Sequence, residues 1–225
     1  MGNTESFDRL EARLAGASEH DVAYARHGPT DRDLRLIGDV AGKRTLDLGT
    51  GSGQAAVSFA VHGATSIGID SSSAHLDRAR RRADDAGAKV EWHQGDLTEL
   101  AFLRADSIDV VFSAYAIGEI DDIGRLFRQV HRVLQPAGLF VFSYEHPLAT
   151  ALRAGRSVFD ESPITIDGDR RARTVYPHAT GHVVTSLNRA GFRIDAIVEP
   201  EPSPNGGERA KLPSTIVWRA RKEGV

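Results

Sequence analysis

A chain of 225 residues with a formal net charge of −3 suits one α/β domain and lacks the basic excess of a protein that grips a phosphate backbone. It contains no cysteine, which excludes disulfides, thiolate metal sites and a cysteine nucleophile. No apolar run approaches the ~18 residues of a membrane helix, and Met1 to Ser6 lack the basic and apolar regions of a signal peptide, so a cytoplasmic protein is expected.

Residues 1–43 are expected to form an N-terminal helical cap, followed by a core over 44–146. In that core, strand-like runs at Leu46–Leu48, Ser66–Ile69, Val90–His93, Ile108–Phe112 and Leu139–Tyr144 alternate with helical stretches near Gln54–His62, Ser73–Ala86 and Ile123–Leu134. Several of these runs are continuously apolar, as strands covered on both faces require. The stripe Ile123, Leu126, Phe127, Val130, Val133 and Leu134 gives the third helix one apolar face, and Gln135-Pro136-Ala137-Gly138 ends it. From Pro147 to Pro177 the chain reads as polar and irregular, the length of a functional lid or substrate insert. Residues 178–225 then read as a helix near Thr180–Ala190 ended by Gly191, and two strands, Phe192–Val198 and Thr215–Ala220, about a Pro/Gly-rich loop. Repeated strand–helix units imply right-handed crossovers. The expected fold is α/β, a single domain with a doubly wound Rossmann-like sheet of seven strands, mostly parallel with an antiparallel edge hairpin.

The stretch Arg44 to Gln54 concentrates the functional signal. A short apolar run containing Asp47 breaks into Gly49, Thr50, Gly51, Ser52 and Gly53, and a helix-like segment restarts at Gln54. Alternate glycines let the backbone turn sharply and approach a ligand, and the helix N-terminus beyond them offers free N–H groups. A dinucleotide fingerprint would place its third glycine at position 54, where this chain has Gln54. The second strand ends in Asp70, followed by Ser71, which places a carboxylate where it could accept both hydroxyls of a ribose. The third leads into Gly95, Asp96 and Leu97, a carboxylate suited to an exocyclic amine. Ligands of open α/β sheets bind beyond the carboxyl ends of the strands, where these acids lie. The loop has no lysine for a polyphosphate, so the inferred ligand is a nucleoside with an amino-acid-like appendage.

Over residues 44–145 these motifs, in this order, make the chain resemble the class I S-adenosylmethionine-dependent methyltransferases of small-molecule type. The resemblance implies S-adenosylmethionine as cofactor. It implies that Asp47, Gly49, Thr50, Gly51, Gly53 and Gln54 lie against its methionine part and ribose. It implies further that Asp70 and Ser71 meet the ribose and that Asp96 and Leu97 meet the adenine. Ser113 and Ala114, with the loop to Tyr115, would lie next to the sulfonium, and Tyr24 or Arg26 would meet the donor's carboxylate. Val133 to Gly138 resembles the family's turn into the fifth strand, with Ala137 in place of a usual glycine. His75 is a further candidate contact at the adenosine edge.

Methyl transfer from a sulfonium chiefly demands alignment, plus a base for acceptors of high pKa. Candidate catalytic residues follow the fourth and fifth strands: Tyr115 and Glu119 after the fourth, and His146 at the end of the fifth, where Pro147 restricts it to an extended backbone. His178 and His182 could complete an acceptor pocket. Similar enzymes often carry histidines at the positions of Gly118 and Glu119, and this chain does not. The expected partner is a small-molecule acceptor methylated at oxygen or nitrogen, with no DNA, no membrane and no metal, in a monomer or homodimer. RNA or protein methylation, an NAD(P)-dependent oxidoreductase and a non-catalytic donor-binding protein are the alternatives.

Overall fold

The structure is a computed structural model that describes residues 21–25, 28–166, 173–201 and 212–223. In chain order the elements are a four-residue helix α1 (Asp31–Leu34), β1 (Arg44–Leu48), α2 (Gln54–Val61), β2 (Thr65–Asp70), α3 (Ser73–Asp85), β3 (Val90–Gln94) and β4 (Ile108–Ala114). A 3-10 turn at Ala116–Glu119 precedes α4 (Ile123–Val133), β5 (Leu134–Glu145), α5 (Pro147–Ala154) and a short hairpin of β6 (Ile164–Ile166) and β7 (Arg173–Val175). The chain closes with α6 (Thr180–Arg189), β8 (Phe192–Val198) and β9 (Thr215–Lys222).

The main sheet has seven strands in the order β3-β2-β1-β4-β5-β9-β8. β1 to β5 are parallel, and β9 runs antiparallel between β5 and β8. The order reverses between β1 and β4, so a topological switch point opens at their carboxyl ends. The strands are covered on both faces, as their apolar runs require. Phe140, Phe142 and Tyr144 of β5 join one core cluster with Leu126, Phe127 and Val130 of α4 and Val183 and Leu187 of α6. The alternate residues Leu139 and Val141 join the other, with Ala55 and Phe59 of α2 and the N-terminal Val22 and Tyr24. Phe142 stacks on Trp218 of β9 with centroids 6.0 Å apart, and both side chains are fully buried.

The segment after Pro147 differs from the irregular insert expected from sequence. It forms α5 and the β6–β7 hairpin. Proline is favoured in the first helical turn, where its missing N–H costs no hydrogen bond, and the left-handed Gly155 closes the helix. β5 also starts earlier than expected, at Leu134. It passes through Ala137, whose φ of 62° is the left-handed conformation that glycine adopts without strain.

Candidate functional site

The glycine turn sits at the switch point. Gly49 has φ of 71°, and a Cβ there would lie 2.2 Å from Cβ of Ala116, so the turn after β4 can approach only a glycine. Gly53, with φ of 81°, caps α2. A Cβ on it would lie 2.8 Å from both Ala79 of α3 and the Trp92 ring of β3. Gly53 therefore does the close helix packing that a dinucleotide fingerprint assigns to the next position. Gln54 instead sends its amide N–H to the carbonyl of Asp21, tying the N-terminal segment across the loop.

Asp47 turns back into this loop. Its buried carboxylate accepts the Thr50 hydroxyl at 2.6 Å and the Ala56 N–H at 3.2 Å, bracing the turn against the first turn of α2. Burial pushes its pKa up to about 7, opposed by those two hydrogen bonds. Asp70 stands at the other rim. It accepts N–H groups of Gly51 at 2.9 Å and Ser72 at 2.9 Å, and Nδ1–H of His75 at 3.1 Å. Burial raises its pKa, but the His75 hydrogen bond and the backbone donors outweigh it and hold the carboxylate below its ordinary range. An ionised carboxylate braced to a glycine turn fits the ribose of S-adenosylmethionine.

The remaining sequence candidates fall around the same end of the sheet. Ser71 is exposed, with its carbonyl accepting from the Gln94 amide. Asp96 is exposed and accepts the Thr98 N–H at 2.7 Å and hydroxyl at 2.8 Å, while Leu97 is buried against the space over Gly49. Ser113 is buried and donates to the Leu48 carbonyl at 2.9 Å, locking the ends of β1 and β4 together next to Ala114. Tyr24 is buried on Phe112 at 5.9 Å and its hydroxyl donates to Asp31. That hydroxyl is committed to a carboxylate of the protein, and its backbone carbonyl accepts from Ser143 at 2.6 Å. Arg26 lies outside the described residues.

The three catalytic candidates are held by neighbours distant in sequence. Tyr115, left-handed at φ of 65°, pairs its hydroxyl with that of Thr215 at 2.5 Å. Glu119 is exposed and forms an ion pair with Arg173 of β7 at 2.9 Å. His146 is buried and serves as the N-cap of α5: Nδ1 accepts the Leu148 N–H at 3.2 Å. Its proton is therefore on Nε2, which donates to Glu199 at 2.9 Å. In this arrangement both ring nitrogens are engaged and neither is a resting base.

The segment after β7 closes over the turn that follows β4. Tyr176 N–H donates to the Gly118 carbonyl at 2.8 Å, and Nε2–H of buried His178 donates to the Ile120 carbonyl at 2.7 Å. Burial lowers the pKa of His178, so its ring is neutral near pH 7. His182 faces the exposed Glu161 at 3.6 Å. Sequence reasoning missed the partners Asp21, Glu199, Arg173 and Thr215, none of which has a local motif. Among the described residues no cluster has the composition of a metal site, and no helix is long and apolar enough to cross a membrane.

Comparison with known proteins agrees with this geometry. Residues 46–142 match the family described as a methyltransferase domain. The chain is 31% identical over 123 residues to a ubiquinone biosynthesis O-methyltransferase of Azorhizobium caulinodans, covering 55% of this chain and 47% of that protein. The chain thus spans about half the length of such curated relatives. A crystal structure of an S-adenosylmethionine-dependent methyltransferase from Mesorhizobium loti is 29% identical with a TM-score of 0.70, over 85% of this chain and 96% of that one. A Listeria monocytogenes protein placed in the same class is 27% identical with a TM-score of 0.77, over 86% and 98% of the two chains. With its glycine turn, its acidic second strand and its sheet order, the chain belongs to the class I S-adenosylmethionine-dependent methyltransferases.

Proposed function

We propose that the protein transfers a methyl group from S-adenosylmethionine to an oxygen or nitrogen of a small-molecule acceptor. The observation that carries this reading is the pairing of Asp70 with the glycine turn through Gly51 N–H, at the switch point between β1 and β4. When bound, S-adenosylmethionine supplies a sulfonium-bound methyl that a nucleophile takes by in-line displacement, with the thioether as leaving group. Asp70 would hold the ribose, and the Gly49–Gly53 turn would lie against the methionine part. Asp96 and Leu97 would border the adenine, and Ser113 and Ala114 the reacting centre. Residues 173–178, bound to the turn after β4, would form one wall of the acceptor pocket and help exclude water. Alignment of this kind supplies several kcal/mol of rate acceleration without a strong base.

The small-molecule acceptor is supported by the O-methyltransferase relatives and by a net charge of −3, which offers no field for a nucleic acid. Isothermal titration with S-adenosylmethionine and, separately, NADH tests the donor. Micromolar binding of the first and none of the second is expected, and the reverse overturns the reading. Asp70→Ala should weaken donor binding at least about tenfold, the loss of a hydrogen bond to a charged group. S-adenosylhomocysteine formed above background across a panel of phenols, carboxylates and amines would then identify the acceptor class.

A further inference from the structure

Asp70 receives three hydrogen bonds within the protein, and they are not equivalent. Gly51 and Ser72 contribute backbone N–H groups, one to each carboxylate oxygen: Oδ2 at 2.9 Å and Oδ1 at 2.9 Å. The third donor is a side chain, His75, whose Nδ1 lies 3.1 Å from the same Oδ1. A carboxylate only accepts, so the proton of this bond is on Nδ1. His75 is placed by the start of α3. Ser72 caps that helix by accepting the His75 N–H at 3.3 Å, and the half-buried imidazole reaches back over the first turn to Asp70.

A carboxylate has about two in-plane acceptor sites on each oxygen. Ser72 and His75 fill those of Oδ1, whereas Oδ2 has Gly51 alone. The acceptor site left is on Oδ2, on the side of the glycine turn. Without His75 the second site on Oδ1 opens, and a diol could be met in more than one orientation.

We propose that His75 is a positioning residue for the donor: by filling Oδ1 of Asp70 it directs the carboxylate's remaining acceptor site, on Oδ2, at one ribose hydroxyl beside the glycine turn. This rests on the reading of Asp70 as the ribose ligand. It also changes the sequence expectation that the carboxylate takes both hydroxyls. Asn is the informative replacement, because its Nδ2–H₂ stands close to where Nδ1–H stands in histidine and donates without the ring.

The test is titration calorimetry with S-adenosylhomocysteine at pH 7.5 on the full chain, comparing wild type with His75→Ala, His75→Asn and Asp70→Ala. Unfolding midpoints confirm that each variant is folded. His75→Ala should bind about tenfold more weakly, as when a hydrogen bond to a charged group is lost. His75→Asn should stay within about twofold of wild type, since the donor is kept. A second readout needs no ligand: the imidazole ¹⁵N spectrum of the free protein should contain an Nδ1–H resonance that disappears in His75→Asn. Wild-type affinity in His75→Ala alongside a loss in Asp70→Ala overturns this inference alone. Wild-type affinity in both overturns the ribose reading with it. An equal loss in His75→Ala and His75→Asn also overturns the inference, because the ring would then be a direct contact with the donor.

Discussion

Asp47 and Ala137 show how single side chains carry a cost for the shape of the site. Asp47 is sealed under the glycine turn, and burial moves its pKa from an ordinary 3.8 to about 7. The folded chain therefore binds more protons than the unfolded one between these values, so stability from this group is greatest at low pH and falls as pH rises from about 4 to 7. The loss across that window is on the order of a few kcal/mol. Asp47→Asn keeps an acceptor oxygen and removes the titration. Urea unfolding at pH 5 and pH 8 should show a smaller drop in the variant than in wild type, and an equal drop would exclude Asp47 as the source. Ala137 presents a simpler case. At φ of 62° its Cβ crowds the backbone, and Ala137→Gly should raise stability by about 1 kcal/mol, read as a higher urea midpoint at unchanged slope.

At the scale of an element, α5 exists because of its first two residues. His146 accepts the Leu148 N–H and Pro147 needs no partner, so the exposed helix starts cleanly where the sequence pattern suggested a break. His146→Ala should cost about 1 kcal/mol, the usual value of an N-cap, and should speed proteolysis around Leu148–Arg153. Asn at this position caps well but cannot act as a base near pH 7. If His146 serves only as a cap, His146→Asn restores both stability and turnover. Restored stability with turnover lost more than about a hundredfold would instead give it proton transfer. The contact with Glu199 adds little in either case, since that glutamate is largely exposed.

For the whole molecule the decisive strand is β9. It pairs with β5 from Leu139–Arg221 to Glu145–Thr215 and with β8 from Phe192–Lys222 to Val198–Val217, and it brings Trp218 and Ile216 into the core. Deleting residues 212–225 would leave β5 and β8 with unpaired edges and empty the space of a buried tryptophan, a loss of at least ~3–5 kcal/mol. The truncated chain should show no cooperative urea transition at 25 °C, while wild type shows a blue-shifted tryptophan emission that moves red on unfolding. A retained transition would mean that β9 is dispensable for the parallel core. The same strand reaches the site through Thr215, so its loss would also free the Tyr115 hydroxyl.

The sequence by itself determined the strand–helix alternation, the glycine turn and the acidic ends of β2 and β3. Each of these is written locally, in the spacing of apolar residues and in backbone demands such as those at Gly49 and Gly53. The donor was legible for that reason, since its ribose and methionine part are met by short contiguous motifs. Only the tertiary structure decided what the candidate acids and bases can do. His146 is turned into a cap by a glutamate 53 residues away, Glu119 is paired across 54 and Tyr115 across 100. A side chain's availability as a base depends on which groups fill its lone pairs, and those groups arrive through sheet order and loop closure. No local pattern records them, and the same folding places His75 on Asp70.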